Sequence, residues 1–248
     1  MPKPTFFVLI LMACGVALSL EQPLFGLLEQ SHPASTYTKA PKFFETERRV
    51  GEGDICPDSL FAQIITDLKA VYPWESHRIY TDDNYILRTF RIQAKNTSIT
   101  RGKPVILLQH GTLDSADDWI INEEQNSIGF RLANEGYDVW LSNSRGNKYA
   151  LETKVKMTDK QFWNFSFEEM AKYDLPANVR YILQATGMNN LIVFGHSQGT
   201  TTMFATLSDD STKDYMNSKV SKFIALAPVT YLANTPSPFF NMMAWQAP

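Results

Sequence analysis

The chain has 248 residues, of which 44% are hydrophobic and 12% aromatic. This composition excludes a disordered or fibrous protein, and the length is sufficient to bury one sizeable core. The formal net charge is -3, and the sequence has no Lys/Arg cluster of the kind that a phosphate backbone requires. We therefore expect no nucleic-acid partner.

The first residues have the pattern of a secretory signal. Lys3 precedes an apolar stretch over residues 6–18, and small side chains follow at Ala17 and Ser19. The stretch is shorter than the ~20 apolar residues that a membrane span needs. We predict a signal peptide over residues 1–19, with a retained anchor as the alternative, and a secreted or lysosomal destination.

Cysteines and glycosylation motifs are consistent with export. Removal of the signal would take Cys14 away and leave Cys56 without a partner, so we expect no internal disulfide. Two acceptor motifs make Asn96 and Asn164 candidate N-glycosylation sites, although such triplets also occur by chance.

Three further regions follow the predicted signal. Residues 20–54 are rich in Pro, Ser, Thr and charge, which indicates an irregular lead-in. Residues 55–100 predict a helix that begins near Asp58 and ends before Pro73, then a hairpin with strands at 77–80 and 85–91. Residues 101–248 alternate short apolar strands with helices and are predicted to form an α/β core.

The α/β region predicts a mostly parallel sheet with flanking helices. Continuous apolar runs indicate strands covered on both faces; they lie at 104–109, 138–141, 191–194 and 222–226. Helices are predicted over 128–134, from Ser166 with a break near Pro176, and from Ser197. Such sheets bind ligands at the C-terminal ends of their strands.

The segment Gly195-His196-Ser197-Gln198-Gly199 joins an apolar strand to a helix and has the pattern of a nucleophile elbow. The tight turn strains the serine backbone and pushes Oγ out above the sheet, while Gly195 and Gly199 remove side chains that would collide. We predict that Ser197 is a catalytic nucleophile. His196 points away from it by strand alternation and is expected to be a packing residue.

The strand 104–109 ends in His110-Gly111-Thr112, where this type of fold places an oxyanion loop. We predict the backbone N–H groups of Thr112 and Gln198 as the two oxyanion donors. His110 and Gly111 are assigned to the turn that supports this loop. No metal or cofactor is expected.

Several stretches in chain order resemble the acid lipases, the gastric and lysosomal lipases among the α/β-hydrolases. They are YTDDNYIL (80–87), LQHG (108–111), EGYDVWL (135–141), NSRGN (143–147), EEMAKYDLPA (168–177), GHSQGTT (195–201) and ALAPV (225–229). The resemblance implies a serine ester hydrolase acting on triacylglycerols or sterol esters. The chain departs from the family pattern at Thr112 and at Lys148-Tyr149, which should border the acyl site. Arg145 and Asp174 are expected to be structural.

The catalytic histidine is not apparent in this sequence. α/β-Hydrolases place the acid and then the histidine after the serine, but all four histidines here precede Ser197. Asp209, Asp210 and Asp214 follow Ser197, but we interpret their polar stretch as the end of the elbow helix and its loop, and we do not nominate them as the catalytic acid. The resemblance therefore implies an incomplete α/β-hydrolase fold that lacks most of the cap and the last strands, and a fragment inactive by itself.

Three functions remain open on this reading. The first is part of a lipase that meets its lipid ester substrate at an interface, with transient membrane or lipid-droplet contact. The second is a non-catalytic homologue that binds lipid or a partner. The third is another acyl transfer on the same scaffold, because the fold does not choose the acceptor. The sequence leaves the oligomeric state open.

Overall fold

The strands of this chain pair into one mixed sheet, seen in a computed structural model that describes residues 61, 63–64 and 72–231. They are β1 (Trp74–Tyr80), β2 (Tyr85–Ile92), β3 (Val105–Gln109), β4 (Asp138–Leu141), β5 (Glu152–Thr153), β6 (Leu191–His196) and β7 (Val220–Leu226). Their order across the sheet is β1-β2-β4-β3-β6-β7, with β5 paired to β2. The predicted signal, the lead-in and most of the first predicted helix lie outside the described residues.

The hairpin prediction is confirmed. β1 and β2 pair antiparallel, with Tyr80 opposite Ile86, and β1 begins at Trp74 rather than at His77. Thr81 closes the turn because its Oγ1 accepts the backbone N–H of Tyr85 at 2.9 Å. β2 also pairs antiparallel with β4, so the hairpin extends the same sheet as the α/β core.

The other half of the sheet is parallel. β3 lies between β4 and β6, and β7 follows beyond β6, all in parallel register. Every residue of β3 and β4 is buried, which explains why both strands are mostly apolar. β7 lies at the end of this order and is only partly buried. The predicted α/β fold class is therefore confirmed, with an antiparallel half added to the parallel one.

The helices whose bounds lie within the described residues are α1 (Ile128–Asn134), α2 (Asp159–Phe162), α3 (Phe167–Glu169), α4 (Leu175–Thr186), α5 (Gln198–Ser208) and α6 (Lys213–Lys219). A 3-10 turn covers Ala116–Trp119, and a π-helical turn, Met170–Asp174, joins α3 to α4. The helix predicted from Ser166 begins there, and Ser166 and Glu169 form a capping box at its start.

The expected break near Pro176 is present as the π-helical turn, which ends two residues before the proline. Pro176 lies in the first turn of α4, where its missing N–H costs no helical hydrogen bond, and the irregular geometry comes before it in the π-helical turn. α4 ends at Gly187, whose φ of 73° is the left-handed conformation typical of a helix end.

Helices cover both faces of the sheet. Ile106 and Leu108 of β3 pack in a cluster with α1 and the 3-10 turn. Val105 and Leu107, which point to the opposite face, pack with α4 and α5. The C-terminal ends of β3, β4 and β6 are thereby held side by side between two layers. No helix in the described part of the chain is both long and apolar enough to span a bilayer.

Candidate active site

Ser197 occupies a strained turn between β6 and α5. Its φ of 50° and ψ of -114° lie outside the regions that non-glycine residues ordinarily adopt. The turn is held on both sides, because the Ser197 N–H donates to Leu226 O at 3.0 Å and the Thr200 hydroxyl donates to Ser197 O at 2.6 Å. The backbone geometry is that of the predicted elbow.

Both elbow glycines face atoms that leave no room for a side chain. A Cβ on Gly195 would lie 2.9 Å from the carbonyl carbon of Gly199. A Cβ on Gly199 would lie 2.5 Å from Gln109 O and 2.9 Å from His110 O. The contacts at Gly199 join the elbow to the end of β3. Because the two turns approach so closely there, only glycine fits at position 199.

The Ser197 hydroxyl is buried, which the sequence did not predict. The residue is 2% exposed, and Oγ has no hydrogen-bond partner among the described residues. Gly111 lies directly against it, since a Cβ on Gly111 would be 3.2 Å from Ser197 Cβ. The loop after β3 therefore packs on the elbow, and the expectation of an open hydroxyl above the sheet is wrong.

The His110 ring joins the loop after β3 to the loop after β4. Its Nε2 accepts the backbone N–H of Ser144 at 3.1 Å, so Nδ1 carries the proton and donates to Gly111 O at 2.7 Å. The Asn147 amide also donates to Nε2, at 3.2 Å. Burial lowers the pKa of His110, which favours this neutral ring.

The two predicted oxyanion donors lie on either side of the serine turn. Gln198 is the first residue of α5 and is half-buried. Thr112 is half-buried and directly follows Gly111, the residue in contact with Ser197. The fold therefore brings both predicted donor residues to the nucleophile turn.

His196 faces a pair of acidic side chains. Its Nδ1 lies 3.3 Å from Asp118 Oδ2, and a ligand atom from each of Asp114, Asp118 and His196 lies within 4.8 Å of the others. Burial, and then the negative charge of Asp114, raise the pKa of Asp118 to about 6 against the opposing effect of His196. These partly exposed groups include both carboxylate and imidazole ligands, the types that divalent metals accept.

Arg145 orders its loop, as expected, through two carboxylates. It makes a bidentate contact with Asp83 at 2.6 and 2.9 Å, and Asp174 accepts both its side chain and its backbone N–H. The guanidinium lies 3.9 Å from the Tyr85 ring centroid. Burial acts to lower the pKa of Arg145, but the two carboxylates outweigh it and raise the pKa. Asp174 thus tethers Arg145 rather than capping a helix.

The remaining predicted positions are distributed elsewhere. The candidate glycosylation residues Asn96 and Asn164 are both exposed. His77 lies on β1 and contacts Glu75 and Tyr181. Among the described residues, no histidine makes a hydrogen bond to Ser197 Oγ.

Sequence reasoning missed the polar partners that join the loops. Asp83 lies between the two predicted hairpin strands, and it binds Arg145 of the loop after β4. Asn147 contacts both Asn143 and His110, and Asp118 lies beside His196. The signal available in the sequence was the group of Asn, Asp and Ser residues that follows both β3 and β4.

Comparisons with known proteins identify the family to which this sequence is similar. A family model described as the partial alpha/beta-hydrolase lipase region matches residues 61–123, and one described as the alpha/beta hydrolase fold matches residues 104–246. Gastric triacylglycerol lipase of Bos taurus is 48% identical over 70% of this chain and 43% of its own length. The rat gastric lipase (Rattus norvegicus) is 47% identical over 67% and 42%, and Lipase member K of Mus musculus is 47% identical over the same shares.

The chain spans about two fifths of the length of these curated relatives, 43% for the bovine enzyme. The alignments confirm the resemblance to the acid lipases that the sequence motifs predict. The chain belongs to the α/β-hydrolase family.

Proposed function

We propose that this protein hydrolyses lipid esters, with Ser197 as the nucleophile. The observation that carries the proposal is the strained Ser197 turn, which lies between a strand and a helix with the Gly111 loop packed against it. A serine in that conformation is stabilised only by surrounding contacts, and such strain is concentrated at functional sites. The backbone N–H groups of Thr112 and Gln198 are assigned to stabilise the oxyanion of the tetrahedral intermediate.

The names of the relatives support a substrate class. The bovine and rat proteins are named triacylglycerol lipases, and they share close to half of the aligned residues with this chain. We assign triacylglycerols or sterol esters as substrates, met at a lipid interface. The N-terminal signal pattern and the exposed Asn96 and Asn164 support a secreted or lysosomal protein.

The general base is assigned to a residue outside the described ones. A serine hydroxyl needs a base to accept its proton, and no described residue makes a hydrogen bond to Ser197 Oγ. His110 cannot serve, because both of its ring nitrogens are engaged by Gly111 and Ser144. The described residues thus contribute the nucleophile and the oxyanion donors, and not proton transfer.

The test is hydrolysis of a triacylglycerol emulsion and of a sterol ester by the protein expressed from its complete gene. Removing the nucleophile of a serine hydrolase costs up to about 10⁶ in kcat, so Ser197→Ala should abolish measurable turnover. Ser218→Ala is the matched control, because Ser218 is exposed and its hydroxyl donates to the nearby Tyr215 carbonyl, so this variant should retain full activity. Absence of hydrolysis, or equal rates with Ser197→Ala, would contradict the proposal.

A further inference from the structure

The His110 imidazole forms a hydrogen bond with the residue that follows it in the chain. Its Nδ1 donates to the carbonyl oxygen of the very next residue, Gly111, at 2.7 Å. That carbonyl belongs to the same peptide group as the Thr112 N–H. The peptide is trans, so its C=O and N–H point in opposite directions and a bond that fixes one fixes the other.

We propose that His110 is a positioning residue, which sets the direction of the Thr112 N–H by holding the Gly111 carbonyl. This inference rests on the proposed function, in which that N–H is an oxyanion donor. The ring draws the carbonyl toward itself, and the N–H is thereby turned away from the ring. Preorganised donors of this kind stabilise developing charge because they need not reorient during the reaction.

The ring is itself fixed from its other side. Ser144 donates its backbone N–H to Nε2 at 3.1 Å, and Asn147 donates its amide at 3.2 Å. The Asn147 amide is oriented by the Tyr149 N–H, which donates to Asn147 Oδ1 at 3.0 Å. Two donors at Nε2 leave the proton on Nδ1, so the loop after β4 selects the tautomer that can bind Gly111.

The position of the loop after β4 is in turn set by Arg145, the neighbour of Ser144. Arg145 is 2% exposed and is held by Asp83 and Asp174 on both sides. The buried ion pairs of Arg145 thus fix the backbone at Ser144. The Ser144 N–H in turn holds the His110 ring, and the ring holds the Gly111–Thr112 peptide. The chain of contacts runs from the edge of the sheet to the nucleophile turn.

Two substitutions separate the functions of the two ring nitrogens. In His110→Asn the side-chain amide can reproduce the Nδ1 donor to Gly111, but nothing accepts the Ser144 N–H. In His110→Gln the amide oxygen can reproduce the Nε2 acceptor, but the Gly111 carbonyl loses its donor. If His110 merely joined the two loops, His110→Gln would be the milder change.

We expect the opposite order in esterase assays on the protein expressed from its complete gene. A misplaced catalytic group costs up to about 100-fold, so His110→Gln should lower kcat by about 10- to 100-fold with little change in KM. His110→Asn should recover most of kcat. His77→Gln is the matched control, since His77 lies on β1 and contacts Glu75 and Tyr181 instead. Equal kcat in the two His110 variants, or the reverse order, would overturn the proposal.

A second measurement does not depend on turnover. In ¹⁵N-labelled protein, His110 should appear as the neutral Nδ1–H tautomer, and the Thr112 amide signal should shift in His110→Gln but much less in His110→Asn. An Nε2–H tautomer, or equal Thr112 shifts in both variants, would overturn the positioning role. Failure of the proposed function shows itself separately, as absence of Ser197-dependent hydrolysis in the unmodified protein.

Discussion

The two turns that meet at Ser197 are held in different ways. The elbow between β6 and α5 depends on backbone: Gly199 allows it to touch the end of β3, and Leu226 O accepts the Ser197 N–H. The loop after β3 depends on side chains, with His110 bound to Ser144 and Gly111. The elbow is therefore a close backbone contact that tolerates no added atoms, whereas the loop is a network of side-chain hydrogen bonds that tolerates no lost partner.

This difference separates two kinds of mutational sensitivity. Changes that add volume should be most harmful in the elbow, because backbone atoms cannot move aside as a side chain can. Changes that remove a charge or a donor should be most harmful around the loop, because a buried partner is then left unsatisfied. Two substitutions test this division directly, and a third tests the titration of Asp118, where the loop and the elbow meet.

The largest effect is expected from Arg145→Met, which breaks the anchor of the loop network. It leaves the buried Asp174 without its partner, and breaking a buried ion pair costs about 3–5 kcal/mol. Arg180→Met is the matched control, because its contact with Asp82 at 3.5 Å is exposed and should contribute less than about 1 kcal/mol. The measurement is the free energy of unfolding in urea. Similar losses in the two variants would show that the Arg145 network does not stabilise the fold.

Gly199→Ala should be the next most harmful change, and it tests the elbow. The new methyl would lie 2.5 Å from Gln109 O, so the two turns must separate at a cost of about 1–3 kcal/mol. Gly187→Ala meets no atom within 4 Å, and its positive φ alone should cost about 1–2 kcal/mol. Thermal unfolding compares their stability, and ester hydrolysis shows the difference in function: only Gly199→Ala should lose activity. Retention of full activity by Gly199→Ala would contradict close contact between the two turns.

The smallest effect is expected at Asp118, where the loop and the elbow meet beside His196. Its pKa is raised to about 6, so between about pH 4 and 6 the folded state binds more protons than the unfolded chain. The contribution of Asp118 to stability is therefore greatest at low pH and is lost as the pH rises through 6. Asp118→Asn should remove this decline and raise stability at pH 7 by about 1 kcal/mol, a figure reduced for solvent screening.

Urea unfolding between pH 3.5 and 7.5 measures that dependence. Asp210→Asn is a suitable control, because Asp210 is 93% exposed and contacts only Lys213 among the described residues, so its substitution should leave the profile unchanged. If Asp118→Asn were less stable than the unmodified protein at pH 7, the raised pKa would be contradicted and the contact with His196 would be the dominant interaction of Asp118.

Much of the fold could be predicted from the sequence because its signals are local. The boundaries of α1 and β4 are those predicted, since apolar periodicity and a following Gly136 or polar turn mark their ends. The elbow was also predictable, because its glycines lie within two residues of Ser197. A break near Pro176 was also predictable, but its π-helical geometry was not, since a π-helical turn has no comparable sequence signal.

The sequence by itself determined which residues could form strands, helices and the serine turn, because each depends on neighbours a few positions away. Tertiary structure decided the rest: the burial of Ser197 under Gly111, the proton position on His110, and the partners of Arg145. These depend on Asp83, Ser144 and Asp174, which are distant in the chain and become neighbours only when the strands align. A hydrogen bond requires a distance and an angle, and only the packed sheet sets both.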